Sequence, residues 1–155
     1  MHTILKQDEL RRLVRRHLPA SESRFEIITC DRSYVMCDDA NCAWFCSRLS
    51  EEVQKVIGPW KDEYRNCNKF ARFFQSLAAV SHARAWIEQH GEDNGGLAVG
   101  TLSYHRDDGV NHMVVLMLTK VREKEQINTR IFEPQNGLEL FLSDKEKRSA
   151  FNLTI

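Results

Sequence analysis

The sequence predicts an α+β fold in which helices come first and an antiparallel sheet follows. Three segments before residue 90 repeat apolar residues at helical spacing. From residue 97 onward the apolar residues form short runs separated by turn residues, which is typical of strands. Because helices and strands are segregated along the chain, the pattern favours α+β architecture over an alternating βαβ sheet. We therefore expect N-terminal helices packed on a C-terminal sheet.

The helical half contains one basic amphipathic helix and two longer helices. The first carries leucine and valine on one face and four arginines on the other, and Pro19 ends it. The second begins at an aspartate cap and stops at Gly58 and Pro59, and the third begins at Cys67. The predicted helices cover residues 6–18, 38–57 and 67–87, with a short strand at 24–30 and a break in the third helix near residues 81–82.

The sheet half begins after a polar, glycine-rich loop. A turn of charged residues and glycine joins two apolar runs, which predicts a hairpin. The predicted strands cover residues 97–104, 112–119, 126–132 and 138–142, with the turn at 106–109. At 155 residues the chain suits one domain, divided into an amphipathic helix (1–20), a mainly helical part (21–90) and the antiparallel sheet (91–155).

Overall charge gives no indication of a polyanionic partner. The chain has 22 basic and 22 acidic residues and a formal net charge of zero, so we expect it to bind neither nucleic acid nor an anionic membrane. Charges interrupt the first ten residues too early for a secretory signal, and no apolar run is long enough to span a bilayer. These features predict a cytoplasmic protein.

Five cysteines are present, and four of them fall close together in the sequence. Their spacing lacks the two close pairs of a zinc ribbon, so we predict no metal site and interpret them as small apolar core residues with reduced thiols. A zinc-bound regulatory protein remains the alternative. His105, across the predicted hairpin from His112, is a candidate for a second contact with that ring or for a metal site, although the sequence favours a place for it in the exposed turn. The four clustered cysteines are Cys30, Cys37, Cys42 and Cys46.

Cys67, His112 and Glu133 form a candidate set for nucleophilic chemistry. Cys67 opens a helix, where exposed N–H groups and the positive end of the helix dipole favour a thiolate. His112 opens a predicted buried strand, and Glu133 follows the next strand. A thiolate nucleophile needs an imidazole within hydrogen-bond reach and an acceptor that orients the ring. We therefore predict catalytic roles for these three residues; the plainer alternative is a cysteine that only packs.

Polar and aromatic residues flank the candidate set. Trp60 and Asn66 precede the cysteine, and Gln135 follows the glutamate, so we predict that these three contact the substrate. Gln135 and Asn136 are also alternatives to Glu133 as the group that orients the imidazole.

The order and context of these residues resemble the papain-like superfamily, which includes papain-type proteases, transglutaminases and cell-wall amidases. The shared pattern is Asn-Cys-x-x-Phe-Ala opening a helix, a histidine opening a strand and a polar residue ending the next strand. The chain is most similar to the calcium-dependent cysteine protease domain at the C-terminus of a fairy-ring mushroom agglutinin and to its bacterial and phage relatives. That domain uses a Cys-His-Glu triad, and Glu133 resembles its third member. The resemblance covers residues 34–151.

The resemblance implies a papain-like fold and a thiol hydrolase, or cysteine peptidase, whose partner is a protein or peptide substrate. Cys67 would attack the carbonyl of a peptide or isopeptide bond, His112 would carry the proton, and Glu133 would orient the imidazole. No cofactor is expected, although the resemblance implies that calcium can be required. Asn66 replaces the acidic residue usual in relatives, and no glutamine precedes the cysteine as an oxyanion donor. The alternative is a catalytically silent papain-like scaffold of phage or bacterial origin that binds or inhibits a protein.

Overall fold

The structure, a computed structural model, describes residues 4–20, 24–59, 66–91 and 95–155. These residues form four helices and ten strands, which confirms the prediction of an α+β fold. None of these helices has the length and apolar character needed to cross a membrane. In chain order the elements are β1 (Ile4–Lys6), α1 (Gln7–His17), β2 (Glu26–Ile28), β3 (Ser33–Val35), β4 (Cys37–Asp38), α2 (Asp39–Ile57), α3 (Cys67–His90), β5 (Gly96–Leu97), β6 (Val99–His105), β7 (Asn111–Lys120), β8 (Ile127–Phe132), β9 (Glu139–Leu140), α4 (Asp144–Arg148) and β10 (Asn152–Thr154).

The larger sheet is arranged around the hairpin of β6 and β7. Its strand order within the described residues is β2-β10-β6-β7-β8-β9. β6 pairs with β7 and β7 pairs with β8 in antiparallel fashion, as the sequence predicts. β2 pairs with β10 and β4 pairs with β7 in parallel, so the sheet is mixed and the prediction of a purely antiparallel sheet is wrong in this respect. β1, β3 and β5 form a second, smaller sheet.

Side chains of β7 point alternately into two apolar cores. Leu116 and Leu118 belong to a core that also contains residues of α1 and β10, whereas Val115 and Met117 pack with residues of α2 and α3. Successive side chains of a strand point to opposite faces, so a strand covered on both faces has a continuous apolar sequence. Burial on both faces therefore explains the unbroken apolar run of β7.

α3 begins where the sequence predicts and is longer and more regular than predicted. The Asn66 side chain caps it by accepting a hydrogen bond from the backbone N–H of Lys69, and Gly91 ends it in the left-handed conformation. Phe70 and Phe74 are fully buried and fix the helix on the sheet. The helix runs without interruption through residues 81–82, so the predicted break is wrong.

α2 also follows its predicted boundaries, because Asp38 caps it and Gly58 follows its last residue. Two of its cysteines pack against a methionine of β7. Cys46 Sγ lies 3.2 Å and Cys42 Sγ 3.8 Å from Met117 Sδ, and both thiols are fully buried. The interpretation of the clustered cysteines as small core residues fits these two, whereas Cys30 is exposed and the interpretation is wrong for it.

Several short strands are absent from the sequence-based prediction. β1, β4, β5 and β10 have two or three residues each, which is too short for a period of two to be visible. They form because tertiary pairing supplies partners, for example β10 between β2 and β6. β10 thereby connects β2 to the strands that carry the candidate residues.

Gly137 holds the turn that follows β8 against α2. Its φ is +71°, and a Cβ added there would lie 2.7 Å from the backbone Cα of Ser47. Gly109, in the turn between β6 and β7, has a φ of +84° with nothing near the position of a Cβ, so it provides a matched control.

We expect Gly137→Ala to lower the free energy of unfolding more than Gly109→Ala. The control substitution pays only the left-handed backbone cost, about 1–2 kcal/mol, whereas Gly137→Ala also forces two backbone segments apart. Urea denaturation followed by circular dichroism measures both values. Equal losses in the two variants would contradict the close packing of this turn on α2.

Candidate functional site

Cys67 lies in the first turn of α3, directly after the capping residue Asn66. Its thiol is partly exposed, and Sγ donates to Asn68 Oδ1 across 3.6 Å. The first backbone N–H groups of a helix lack intrahelical acceptors, and the helix dipole is positive at this end. This position therefore stabilises negative charge on the Cys67 sulfur.

His112 is the second residue of β7 and lies opposite Tyr104 of β6. Its Nε2 is 2.8 Å from Glu133 Oε2, and the His112 and Glu133 side chains are only 16% and 15% exposed. Because Nε2 is engaged by the carboxylate, Nδ1 is the ring nitrogen left for the Cys67 sulfur. The Tyr104 ring packs edge-on against the imidazole, with centroids 5.9 Å apart.

Glu133 is held by a tight turn at the end of β8. Its backbone N–H donates to Leu138 O, and its carbonyl accepts from Gly137 N, each at 2.8 Å. Its second carboxylate oxygen, Oε1, accepts from the backbone N–H of Gln135 at 3.4 Å. The turn therefore leaves Oε2 directed at His112.

Cys67 and His112 shift each other's pKa in opposite directions. Contact with the His112 side chain is the largest influence on the Cys67 thiol and lowers its pKa, while burial opposes the shift. The pKa of His112 is raised to about 9, first by contact with Cys67 and then by Glu133, again against burial. Each shift therefore favours the charged form of its group, a thiolate beside an imidazolium.

A groove with a volume of about 740 Å³ opens beside these three residues. Its lining combines amide, charged and apolar side chains, and the Phe141 ring is 88% exposed at its surface. A pocket of this size suits a small organic ligand. The remaining lining residues are Asn66, Tyr104, Arg106, Val110, Asn111, Gln135, Asn136, Leu140, Leu142 and Glu146.

The structure brings most of the predicted site residues to this groove. Cys67, His112 and Glu133 come together, and Asn66 and Gln135 line the same groove. Trp60 lies outside the described residues. Glu133, and not Gln135 or Asn136, makes the hydrogen bond to the imidazole. The roles of these residues in substrate contact or catalysis stay predictions.

Tyr104 is a site residue that the sequence reasoning missed. The predicted turn at residues 106–109 implies a hairpin register in which residues near position 104 oppose His112, and this signal identifies Tyr104. His105, by contrast, ends β6 with an exposed side chain whose ring lies 5.1 Å from that of Phe151. The prediction that His105 lies in the turn is wrong by a residue, because β6 includes it.

No cluster of three or more metal-ligating side chains occurs in the part of the chain that the structure describes. Asp39, the first residue of α2, accepts hydrogen bonds from Thr119 and Asn128, beside Arg130. These contacts lower the pKa of Asp39, with the Thr119 hydroxyl as the largest cause. This carboxylate serves an internal network.

No protein-family model and no curated protein matches the chain. Similar solved structures include one described as "PSL1a-E64 complex", which is 19% identical with a TM-score of 0.69 over 98% of this chain and 51% of that chain. Another is a Polyporus squamosus lectin bound to the human-type influenza-binding epitope Neu5Aca2-6Galb1-4GlcNAc, 20% identical with a TM-score of 0.62 over 94% of this chain and 48% of that chain. The chain thus spans about half the length of these structures and shares their fold.

These similarities overturn the papain-like resemblance drawn from the sequence. The two structures are described as a "PSL1a-E64 complex" and as a Polyporus squamosus lectin, and neither description names a papain-like peptidase. The predicted thiol hydrolase for peptide or isopeptide bonds is therefore wrong, as is the alternative of a silent papain-like scaffold that binds or inhibits a protein. The physical reason is that a capped helix with an early cysteine, followed by a strand with a histidine, is a local pattern too short to specify a family.

We expect Glu133→Gln to lower the pKa of His112 from about 9 toward its ordinary value near 6.5. The amide still accepts a hydrogen bond but no longer carries the charge that favours the imidazolium. An NMR titration of the His112 ring measures the change. Glu139→Gln is the control, since Glu139 pairs with Arg130 at 2.6 Å instead. An unchanged His112 pKa in Glu133→Gln would contradict this role of the carboxylate.

Proposed function

We propose that the groove around Cys67 is a ligand-binding site with a reactive thiolate in its wall. The observation that carries the proposal is a chain of contacts. It runs from the sulfur of Cys67, at the N-terminus of α3, through the His112 ring to the Glu133 carboxylate. Cys67 is the proposed nucleophile, His112 its proton partner and Glu133 the group that orients the ring. A thiol with a lowered pKa becomes a thiolate, the nucleophilic form, at a lower pH than an ordinary cysteine does.

Exposure and pKa together distinguish Cys67 from the other four cysteines. Cys42 and Cys46 are fully buried. The pKa of Cys37 is raised, chiefly by its contact with Cys42 and then by burial, so its thiol stays protonated. Cys30 is exposed but lies outside any helix, in the segment between β2 and β3. Cys67 alone combines access from the groove with a lowered pKa.

The ligand of such a site carries an electrophilic carbon. A thiolate forms a bond to that carbon as the leaving atom takes the electron pair. E64, the compound named with one of the similar structures, is an epoxide, and a thiolate opens an epoxide ring at carbon. Asn66 and Gln135 line the groove, and we propose that they contact the bound ligand.

A carbohydrate is a second candidate ligand for the same groove. The lectin that shares this fold is described as bound to a sialylated trisaccharide epitope. The groove offers the amides of Asn111, Gln135 and Asn136, which can both donate to and accept from sugar hydroxyls. The exposed Phe141 ring provides an apolar surface for the C–H face of a sugar. The similarity behind this second candidate covers about half of the lectin chain.

We expect E64 and iodoacetamide to modify Cys67 faster than Cys30 at pH 6–7, because the lowered pKa of Cys67 enlarges its thiolate fraction. Each unit by which a thiol pKa is lowered raises that fraction about tenfold at low pH, partly offset by weaker intrinsic nucleophilicity. Peptide mapping by mass spectrometry assigns the modified residue. Plotting the rate against pH gives the pKa of the Cys67 thiol.

His112→Asn is the matched variant for this experiment. Loss of the imidazole removes the largest cause of the lowered pKa, so we expect the Cys67 rate profile to move to higher pH while Cys30 keeps its profile. If Cys67 reacts no faster than Cys30 in the protein of native sequence, the proposed thiolate site is ruled out.

If the groove binds a carbohydrate, we expect the trisaccharide Neu5Aca2-6Galb1-4GlcNAc to bind and Phe141→Ala to weaken that binding about tenfold, as loss of one aromatic contact predicts. Isothermal titration calorimetry measures the affinity. Trp44→Ala is the control, because Trp44 is also an exposed aromatic residue but lies on α2, away from the groove. Absence of heat, or equal weakening in both variants, would refute this second candidate.

A further inference from the structure

Tyr104 forms part of the groove wall next to the imidazole. It lies in β6, pairs directly with His112 of β7, and its side chain is only 3% exposed. Its ring meets the imidazole edge-on, at an angle of 71° between the planes. The strand pairing and the packing therefore fix the position of the Tyr104 ring, whose centroid lies 5.9 Å from that of the His112 ring.

The Tyr104 hydroxyl takes part in none of the hydrogen bonds found among the described residues. The other buried tyrosine of these residues, Tyr34, behaves differently: its hydroxyl donates to Ile155 O at 2.9 Å and accepts from Asp31 N at 2.8 Å. A tyrosine hydroxyl without a partner in the protein hydrogen-bonds to water or to a ligand. Because Tyr104 lines the groove, a ligand in the groove is the partner that its position allows.

The phenol is held in its protonated form. Burial is the largest cause that raises the pKa of Tyr104 to about 12, and the carboxylate of Glu146 adds to the effect. Arg106 acts in the opposite direction. Tyr104 therefore remains a hydrogen-bond donor over the whole pH range in which the Cys67 thiolate and the His112 imidazolium coexist.

We propose that Tyr104 donates a hydrogen bond to the oxygen on the ligand carbon that Cys67 attacks. The proposal rests on the thiolate site proposed above and narrows its ligands to electrophiles with oxygen on the reacting carbon. With an epoxide, the S–C bond forms, the ring C–O bond breaks, and the electron pair stays on oxygen. That oxygen takes the proton of the His112 imidazolium, while Tyr104 stabilises the developing negative charge and stays protonated.

Two reagents separate this role from thiolate reactivity itself. E64 develops negative charge on oxygen as its ring opens, whereas iodoacetamide releases iodide and develops none on an oxygen at the attacked carbon. A hydrogen-bond donor at that oxygen assists only the first reaction. The ratio of the two second-order rate constants at Cys67 therefore reports on Tyr104, and each rate constant alone reports on the thiolate.

The test compares the Tyr104→Phe variant with the protein of native sequence. We expect the E64 rate constant to fall roughly tenfold or more and the iodoacetamide rate constant to change less than about twofold, since the ring still packs against His112. Tyr34→Phe is the control, because it removes a buried hydroxyl elsewhere and should leave the ratio unchanged. Circular dichroism and thermal unfolding verify that both variants fold.

Every other outcome is decisive. An unchanged E64 rate in Tyr104→Phe overturns the role of Tyr104 while the thiolate site stands. An equal fall with both reagents also overturns it, because it assigns Tyr104 only to positioning His112. If neither reagent labels Cys67 faster than Cys30 in the protein of native sequence, the proposal of a thiolate site itself fails. That failure is visible before any variant of Tyr104 is made.

Discussion

Burial of β7 on both faces is the constraint on which the site depends. One face packs on α2 and α3, and the other packs on the core that contains α1 and β10. A shift of one residue in its pairing would exchange the two sets of side chains and misplace both. The register of β7 is therefore strongly fixed, and with it the positions of His112 and of its neighbours Tyr104 on β6 and Glu133 after β8. α3, packed on the same strand through Phe70 and Phe74, brings Cys67 to the same end.

The charged forms of Cys67 and His112 at this end of β7 stabilise each other. Shielding from water disfavours a charged His112, and the same shielding disfavours a Cys67 thiolate. The pKa shifts of both nevertheless run toward the charged forms, because each ion faces the other and Glu133 supports the ring. The helix N-terminus adds a further stabilising influence on the sulfur. The buried Cys42 thiol, which contacts Met117 and other cysteines instead of an imidazole, has a raised pKa.

The sequence was sufficient to predict the parts of this fold that are governed by local rules. The caps of α2 and α3 and the hairpin of β6 and β7 follow from single residues such as Asp38, Asn66 and Gly109. The proximity of Cys67, His112 and Glu133 was predictable because a helix N-terminus and two adjacent strand ends meet in such a sheet. The short strands and the exposed groove residues, such as Phe141, were not, because their positions depend on tertiary pairing that leaves no periodic pattern. Family membership was also beyond the local pattern, since several folds can present a cysteine and a histidine in this way.

Shared fold and local chemistry give different kinds of information about this chain. Likeness to the lectin structures, at about 20% identity and over half of their length, fixes the arrangement of the sheet and helices but not the ligand. Carbohydrate recognition requires hydroxyl-binding amides and an apolar surface such as Phe141, and it gives no reason for a lowered pKa at Cys67. A reactive thiolate requires the His112 and Glu133 contacts and gives no reason for the exposure of Phe141. Because the two candidate activities place their demands on different side chains, the residues of the groove, rather than the fold, distinguish them.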